Sequence, residues 1–285
     1  MKIAICTQIK NETRYLKEWV DYHIGLGIDH IFLFEDYGSD SHIHIVGNNN
    51  HVTLSTVERF GIPNYHNTKT QHKVCCKLLD ECKMRGDYDW ILFIDADEFI
   101  TFEDGYDLQR VCNEYANAPA ILMSWMNYGA NGHIKRPQGK LLDNYTKSGV
   151  VIERDRRWAK KSMVNVRLCK GLYNIHIAAG AKDVMGNGES APLVYKKIWI
   201  RHFFTKSWED FCERIFERGN MSNNFRTLDN FFVCNPDMRH LKKELIESVR
   251  YRHAMSTMWL SKDLKIISGG NINHIKELEN GHHKK

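Results

Sequence analysis

The hydrophobic positions of the chain alternate between short continuous runs and helical stripes. Continuous apolar runs predict buried strands at residues 2–7, 30–36, 52–57, 90–94, 120–126 and 197–204. Between them, apolar residues recur every three or four positions, which predicts amphipathic helices. One stripe comprises Leu16, Trp19, Val20 and His23, after a helix cap predicted at Asn11; a second comprises Val74, Cys75, Leu78, Leu79 and Cys82. This alternation predicts an α/β fold with a mostly parallel sheet flanked by helices.

The pattern weakens between residues 129 and 188, where glycine, asparagine and basic residues predict loops and small strands. A helix is predicted after residue 206, with Ser207 as its N-cap and Asp210 completing a capping box. We therefore predict a catalytic domain over residues 1–205. A helical C-terminal extension over residues 206–285 is expected to pack on the same domain.

Composition limits the classes of function. Of 285 residues, 42% are apolar and 26% are charged, which is ordinary for a globular protein, and the net charge is +5. This mild positive charge suits an anionic ligand but is too small to indicate nucleic acid. Eight cysteines without a C-x-x-C pair predict free thiols in a reducing compartment.

The expected location is the cytoplasm. The first residues turn polar at Thr7, so no signal peptide is predicted. No apolar run approaches the roughly 20 residues that span a bilayer. Peripheral contact with the inner face of the membrane is the alternative that this pattern leaves open.

The segment "DWILFIDADEFI" ends a buried strand on three acids. If Asp95 and Asp97 lie on an extended segment, their side chains face the same side, at the edge where α/β sheets bind ligands. Convergent carboxylates there predict a Mg²⁺ or Mn²⁺ site. The alternative is a solvated strand end, with Glu98 capping the next turn.

His202 and Lys206 follow the last predicted strand. His202 fits either a core histidine or a third metal ligand, since imidazole binds transition metals. Lys206 stands directly before the predicted helix start at Ser207, and both features suit a diphosphate.

Polar residues also follow the first two strands. Thr7, Lys10, Asn11, Glu12 and Asp36 flank the strand ends and form a candidate pocket for a base and ribose. Helix capping by Asn11 and turn formation by Asp36 explain those two residues equally well. Neither a G-x-G-x-x-G, a phosphate-binding G-x-x-x-x-G-K-[ST] nor a G-x-S-x-G motif is present, which disfavours dinucleotide oxidoreductases, P-loop proteins and α/β-hydrolases.

Taken together, three segments resemble glycosyltransferases with the GT-A fold, of the family-2 type and near family 92, as found in bacterial polysaccharide loci. They are "KNETRYLKEWVDYHIGLGIDHIFLFEDYGSD", "DWILFIDADEFI" and "IRHFFTKSWEDFCERIFERG". The resemblance covers most of residues 1–220 and implies a Rossmann-like fold, a nucleotide-sugar donor such as a UDP-sugar, and Mn²⁺ or Mg²⁺. It implies that Asp95, Asp97 and His202 hold the metal. Asn11, Glu12, Asp36 and Gln71 would line the nucleotide pocket.

The expected reaction moves a hexose from the nucleotide donor to a glycan or lipid-linked saccharide acceptor with inversion. An inverting enzyme needs a general base, for which Glu153 is the candidate and Asp155 and Asp183 are rivals. An ion pair of Glu153 with a neighbouring arginine is the alternative. A nucleotidyltransferase acting on a sugar phosphate, and a binding module without turnover, are the other functions considered.

Overall fold

The structure, a computed structural model, describes residues 1–36, 41–62, 68–148, 160–180, 182–183, 196–218 and 227–249. Its strands are β1 (Ile3–Ile9), β2 (His30–Glu35), β3 (Val52–Thr56), β4 (Trp90–Phe93), β5 (Glu98–Phe102), β6 (Ala120–Asn127), β7 (Lys160–Asn165), β8 (Lys182–Asp183) and β9 (Ile198–His202). Its α-helices are α1 (Leu16–Gly25), α2 (Ile43–Val46), α3 (Thr68–Arg85), α4 (Leu108–Glu114), α5 (Leu141–Asn144), α6 (Trp208–Glu213) and α7 (Leu228–Cys234).

The strands form one mixed sheet in the order β3-β2-β1-β4-β7-β6-β9-β5, with β8 beside β6. From the pairings, seven of these nine strands run in one direction, and β7 and β5 run against them. The predicted α/β class with a mostly parallel sheet is therefore confirmed.

A hydrophobic core lies on each face of the sheet because the buried strands are apolar on both sides. Ile3 and Ile5 of β1 pack in one core with the predicted stripe of α1. Ala4 and Cys6, pointing the other way, pack with the stripe of α3. Each large aliphatic side chain buried in this way contributes about 1.5–3 kcal/mol.

The predicted helix cap at Asn11 is wrong. Helix α1 begins at Leu16 with Tyr15 as its N-cap, and no side chain caps it. Asn11 has a φ of 51°, in the left-handed region that asparagine tolerates better than most residues. Asn11 therefore belongs to the turn that leaves β1, which keeps its side chain near the end of that strand.

Three strands were not predicted individually, namely β5, β7 and the two-residue β8. Strand β7 lies in the middle of the sheet, antiparallel to both β4 and β6, in the region assigned to loops and small strands. Its segment "KKSMVN" begins with two lysines, which hide the strand pattern. Strand β5 follows the acids directly and pairs antiparallel with β9.

The strand directions bring several polar segments to one edge of the sheet. The ends of β1, β2, β4, β6 and β9 meet the beginnings of β5 and β7 there. We call this the carboxyl edge. It carries the residues that follow β1, β2 and β4, together with the start of β7 and the end of β9.

The chain divides into two compact units, Met1–Met238 and Arg239–Lys285. Helices α6 and α7 belong to the first unit; in the second, residues 242–249 are helical. The division of the sequence at residue 205 stays a prediction. All eight cysteines are free thiols. In the part of the chain that the structure describes, no helix combines the length and the hydropathy needed to cross a bilayer.

Candidate active site

The acids after β4 lie on a tight turn. The amide of Glu98 donates to the carbonyl oxygen of Asp95 at 3.0 Å, so residues 95–98 reverse the chain into β5. The extended backbone expected for Asp95-Ala96-Asp97 is absent. The prediction that the two aspartate side chains face the same side, as alternate residues of a strand do, is therefore wrong. Each aspartate has its own set of charged partners.

Asp95 is held by two side chains from other elements. Its Oδ1 accepts from Nε2 of Gln71 on α3 at 2.8 Å, and its Oδ2 accepts from Nζ of Lys161 on β7, also at 2.8 Å. Burial raises the pKa of Asp95, but the Lys161 ammonium outweighs it and holds that pKa below its usual value. Asp95 therefore stays ionised, in a partly buried ion pair with Lys161.

Glu98 contacts both members of this ion pair. Its Oε2 accepts from the amide of Asp95 at 3.0 Å, and its Oε1 lies 3.7 Å from Nζ of Lys161. Burial raises the pKa of Glu98 well above its usual value, while Lys161 acts in the opposite direction. A buried strand can end on three acids here because a buried lysine from a neighbouring strand pairs with Asp95, while burial favours the neutral form of Glu98.

Asp97 faces a different group of residues. Its Oδ1 lies 3.8 Å from Nε2 of His202, and its Oδ2 accepts from NH1 of Arg214 at 2.9 Å. Nζ of Lys206 lies 4.0 Å from the same Oδ2. Arg214 opens the π-helical turn Arg214–Arg218 that follows α6. Such turns are frequent at functional sites, because they displace one residue from the regular helical position.

The neighbouring strand fixes the orientation of His202. His202 ends β9 and is paired with Asn127 at the end of β6, and its Nδ1 lies 3.0 Å from Oδ1 of Asn127. Because an amide oxygen only accepts, Nδ1 carries a proton, and Nε2 faces Asp97. The ring also packs on Trp125, with 4.5 Å between centroids. Histidine metal ligands are typically oriented in this way.

Asp97 and His202 suit a divalent metal in part. A carboxylate oxygen and a neutral imidazole nitrogen are donors that Mn²⁺ accepts, and such ions share their shell with substrate phosphates and water. The described residues contain no group of three histidine, cysteine, aspartate or glutamate side chains placed to hold a metal. Both oxygens of Asp95 are engaged by Gln71 and Lys161, so the metal would take two ligands from these residues.

The predicted nucleotide-pocket residues lie near the ends of β1 and β2. The amide of Asp36 donates to the carbonyl oxygen of Ile9 at 2.9 Å, and the amide of Glu12 donates to Nε2 of His42 at 3.0 Å. His42 in turn contacts Oε1 of Glu35 through Nδ1 at 2.9 Å. Thr7 is buried within β1, and Lys10 and Asn11 follow that strand. The buried His42 thus ties the turn after β1 to the end of β2.

Lys206 and Ser207 form a tightly held corner before α6. Lys206 has a φ of 55°, and its ammonium lies 5.4 Å from the centre of the Tyr15 ring. Ser207 is the N-cap of α6 and accepts from the amide of Asp210 at 3.0 Å, which confirms the predicted cap. The second bond of the predicted capping box differs: the amide of Ser207 donates to the hydroxyl of Tyr145 at 3.1 Å.

Sequence reasoning missed Lys161, Arg214, Asn127 and His42. Lys161 follows no recognisable motif, and Arg214 was not singled out within the segment "IRHFFTKSWEDFCERIFERG". Their relevance depends on contacts with acids 66 and 117 residues away. Asn127, which directly follows the strand predicted at residues 120–126, carried a weak signal. Glu153 and Asp155 lie outside the described residues.

Comparison with known proteins places the chain in a glycosyltransferase family. Residues 2–230 match the model of Glycosyltransferase family 92, and the chain belongs to that family. A family 92 protein of Oryza sativa subsp. japonica is 26% identical over 216 residues, covering 74% of this chain and 35% of its own length. One from Ricinus communis is 25% identical, covering 76% and 38%. The chain thus spans little more than a third of these curated relatives.

Two solved structures of synthases are similar at a lower level of identity. Mannosyl-3-phosphoglycerate synthase from Rubrobacter xylanophilus matches with a TM-score of 0.37 and 11% identity, over 58% of this chain and 53% of that one. Glucosyl-3-phosphoglycerate synthase from Mycobacterium tuberculosis, in complex with Mn²⁺, UDP and glucosyl-3-phosphoglycerate, matches with a TM-score of 0.36 and 13% identity, over 60% and 59%. Scores of this size assign neither a ligand nor a function to this chain.

Proposed function

We propose that this protein transfers a sugar from a nucleoside-diphosphate donor, a UDP-sugar, to a glycan or lipid-linked saccharide acceptor. Membership of a glycosyltransferase family supports the reaction class. The observation that carries the proposal is the meeting of Asp97, His202, Lys206 and Arg214 at the carboxyl edge. A carboxylate and an imidazole beside two cations suit a divalent metal together with a diphosphate.

Asp97 and His202 would hold Mn²⁺ or Mg²⁺, which when bound neutralises charge on the leaving diphosphate. Lys206 and Arg214 supply further positive charge at fixed positions, where reorganisation at the moment of transfer is small. The segment after β1, tied to β2 by His42, would bind the nucleoside. Asp95 acts as a positioning residue, because Gln71 and Lys161 hold it within the turn that presents Asp97.

Inversion at the sugar carbon would need a base near the acceptor hydroxyl. We propose Glu153 as this general base, on the sequence alone. The cytoplasmic location and contact with the inner face of a membrane are likewise proposals, and they match a soluble nucleotide-sugar donor and a lipid-linked acceptor.

The test is a panel of nucleotide sugars incubated with the protein, Mn²⁺ and an acceptor mixture, with released nucleoside diphosphate as the readout. We expect UDP to be released from one or a few UDP-sugars and EDTA to stop the release. Formation of inorganic diphosphate from a nucleoside triphosphate and a sugar phosphate would indicate a nucleotidyltransferase instead. No release with any donor, from protein shown to be folded, would contradict the proposal.

A further inference from the structure

Asp97 divides its two carboxylate oxygens between different kinds of partner. Oδ2 accepts from NH1 of Arg214 at 2.9 Å, with the ammonium of Lys206 at 4.0 Å. Oδ1 lies 3.8 Å from Nε2 of His202. The carboxylate that suits a metal is therefore already the counter-ion of a guanidinium, and only 4% of its side chain is exposed.

A divalent ion at Asp97 and His202 would compete with Arg214 for the charge of that carboxylate. The guanidinium and the metal ion repel each other, and screening by water is weak at a buried carboxylate. Arg214 should therefore weaken the binding of a metal that arrives alone.

A nucleoside diphosphate reverses this relation. Its oxygens carry negative charge and accept from the planar guanidinium fork, frequently through two parallel bonds. The contacts of Arg214 with Asp97 and with the carbonyl oxygen of Phe204 both use NH1, at 2.9 and 3.4 Å. Nε and NH2 carry three further N–H donors. About 23% of the Arg214 side chain is exposed, so an entering anion can reach it.

We infer that Arg214 exchanges partners during substrate binding: it pairs with Asp97 until a metal takes that carboxylate, and it then binds the diphosphate of the donor. Metal and nucleotide thereby bind cooperatively. The metal frees Arg214 from Asp97 to bind the diphosphate, and the diphosphate offsets the repulsion between Arg214 and the metal. This inference rests on the proposed function, because it uses the same metal and diphosphate site.

Calorimetric titrations of four proteins test the exchange: the wild type, Arg214→Gln, Arg214→Lys and a matched control, Arg59→Gln. Arg59 pairs with Glu81 on α3 and contacts neither Asp97 nor His202, so its variant removes one positive charge away from the site. Each protein is titrated with Mn²⁺ alone and with UDP at saturating Mn²⁺. Melting curves establish that each variant is folded.

Arg214→Gln should change the two affinities in opposite directions. It should bind Mn²⁺ alone roughly 3- to 10-fold more tightly and UDP with Mn²⁺ roughly 10- to 100-fold more weakly, the range expected for one charge-assisted hydrogen bond. Arg214→Lys keeps the charge without the fork, so it should bind Mn²⁺ like the wild type and UDP with intermediate affinity. Arg59→Gln should match the wild type in both.

Two results would overturn the exchange. If both affinities of Arg214→Gln fall together, Arg214 only maintains the structure of the site; if neither changes, Arg214 takes no part in binding. A wild type that binds neither Mn²⁺ nor UDP would instead refute the proposed function itself. If Arg214→Gln does not fold, Arg214→Lys decides alone, because unchanged UDP affinity would contradict a role for the fork.

Discussion

Asn127 fixes the proton of His202 on Nδ1 through a 3.0 Å contact, and this leaves Nε2 facing Asp97 at 3.8 Å. A core histidine can also have a defined tautomer, as His23 does between the carbonyl oxygen of Trp19 and the amide of Ile100, so the ligand role of His202 depends on the position of Nε2 beside Asp97. The sequence left both a core role and a ligand role open for His202. The orientation of its ring towards Asp97 favours the ligand role.

We predict that His202→Ala weakens Mn²⁺ binding and lowers turnover by a factor on the order of 100, comparable to the loss of a major electrostatic contact. Stability without metal should also fall, because the ring is buried against Trp125, so the Mn²⁺ activation curve decides between the two roles. Melting curves without metal and Mn²⁺ activation curves are measured side by side. A large loss of melting temperature with an unchanged activation curve would show a core histidine.

Because Lys206 has a left-handed φ, two substitutions can distinguish the effect of its backbone strain from the effect of its ammonium group. Lys206→Gly removes the ammonium and relieves the backbone, whereas Lys206→Ala removes the ammonium and keeps the strain. We expect both variants to bind UDP about tenfold more weakly. Lys206→Gly should be more stable than Lys206→Ala by up to about 1 kcal/mol. Equal UDP affinity in wild type and both variants would remove Lys206 from the site.

Lys161 is 1% exposed between Asp95 and Glu98. Lys161→Met should lower the free energy of unfolding by about 3–5 kcal/mol, because it leaves two acids without their cation. Adding Glu98→Gln should recover part of this loss, since one buried acid becomes neutral. Denaturant unfolding of both single variants and the double variant measures the coupling. Strictly additive effects would show that Lys161 and Glu98 do not interact.

His23 provides a pH test away from the site. Burial lowers its pKa to about 3, against an unfolded value near 6.5, although its bond to the carbonyl oxygen of Trp19 acts in the opposite direction. Because the folded pKa is depressed, the stabilising contribution is complete above pH 6.5 and is lost as the pH falls towards 3. His23→Gln should lose stability less steeply between pH 6.5 and 4. An unchanged slope in denaturant titrations would contradict a buried neutral His23.

The sequence predicted those parts of the fold whose burial is local. Strands β1, β2 and β4 are apolar on both faces, so their runs stand out without knowledge of their neighbours. Strand β7 begins with Lys160 and Lys161, each 1% exposed. For Lys161, burial is tolerable because Asp95 and Glu98, more than 60 residues earlier, neutralise it. The local pattern of hydrophobic residues does not show a pairing between residues so far apart in the sequence.

The candidate site was predictable to a similar degree. Asp97, His202 and Lys206 stand at strand ends, where position alone indicates a ligand site, and the structure brings them together. The turn at residues 95–98 separates Asp95 from Asp97, and it depends on Glu98 accepting from the amide of Asp95. Arg214 is positioned by a π-helical turn, for which its residues carry no recognised sequence signal.

The most direct test of the central claim is the melting temperature of the protein with UDP, in the presence of Mn²⁺ and in the presence of EDTA. A ligand that binds only the folded state stabilises it, by about 2.7 kcal/mol at 100 times its Kd. The account predicts a rise with UDP and Mn²⁺ that EDTA removes and that Asp97→Asn lacks. No rise at millimolar UDP, or an equal rise with every nucleoside diphosphate and with EDTA, would contradict a metal-dependent uridine site at the carboxyl edge.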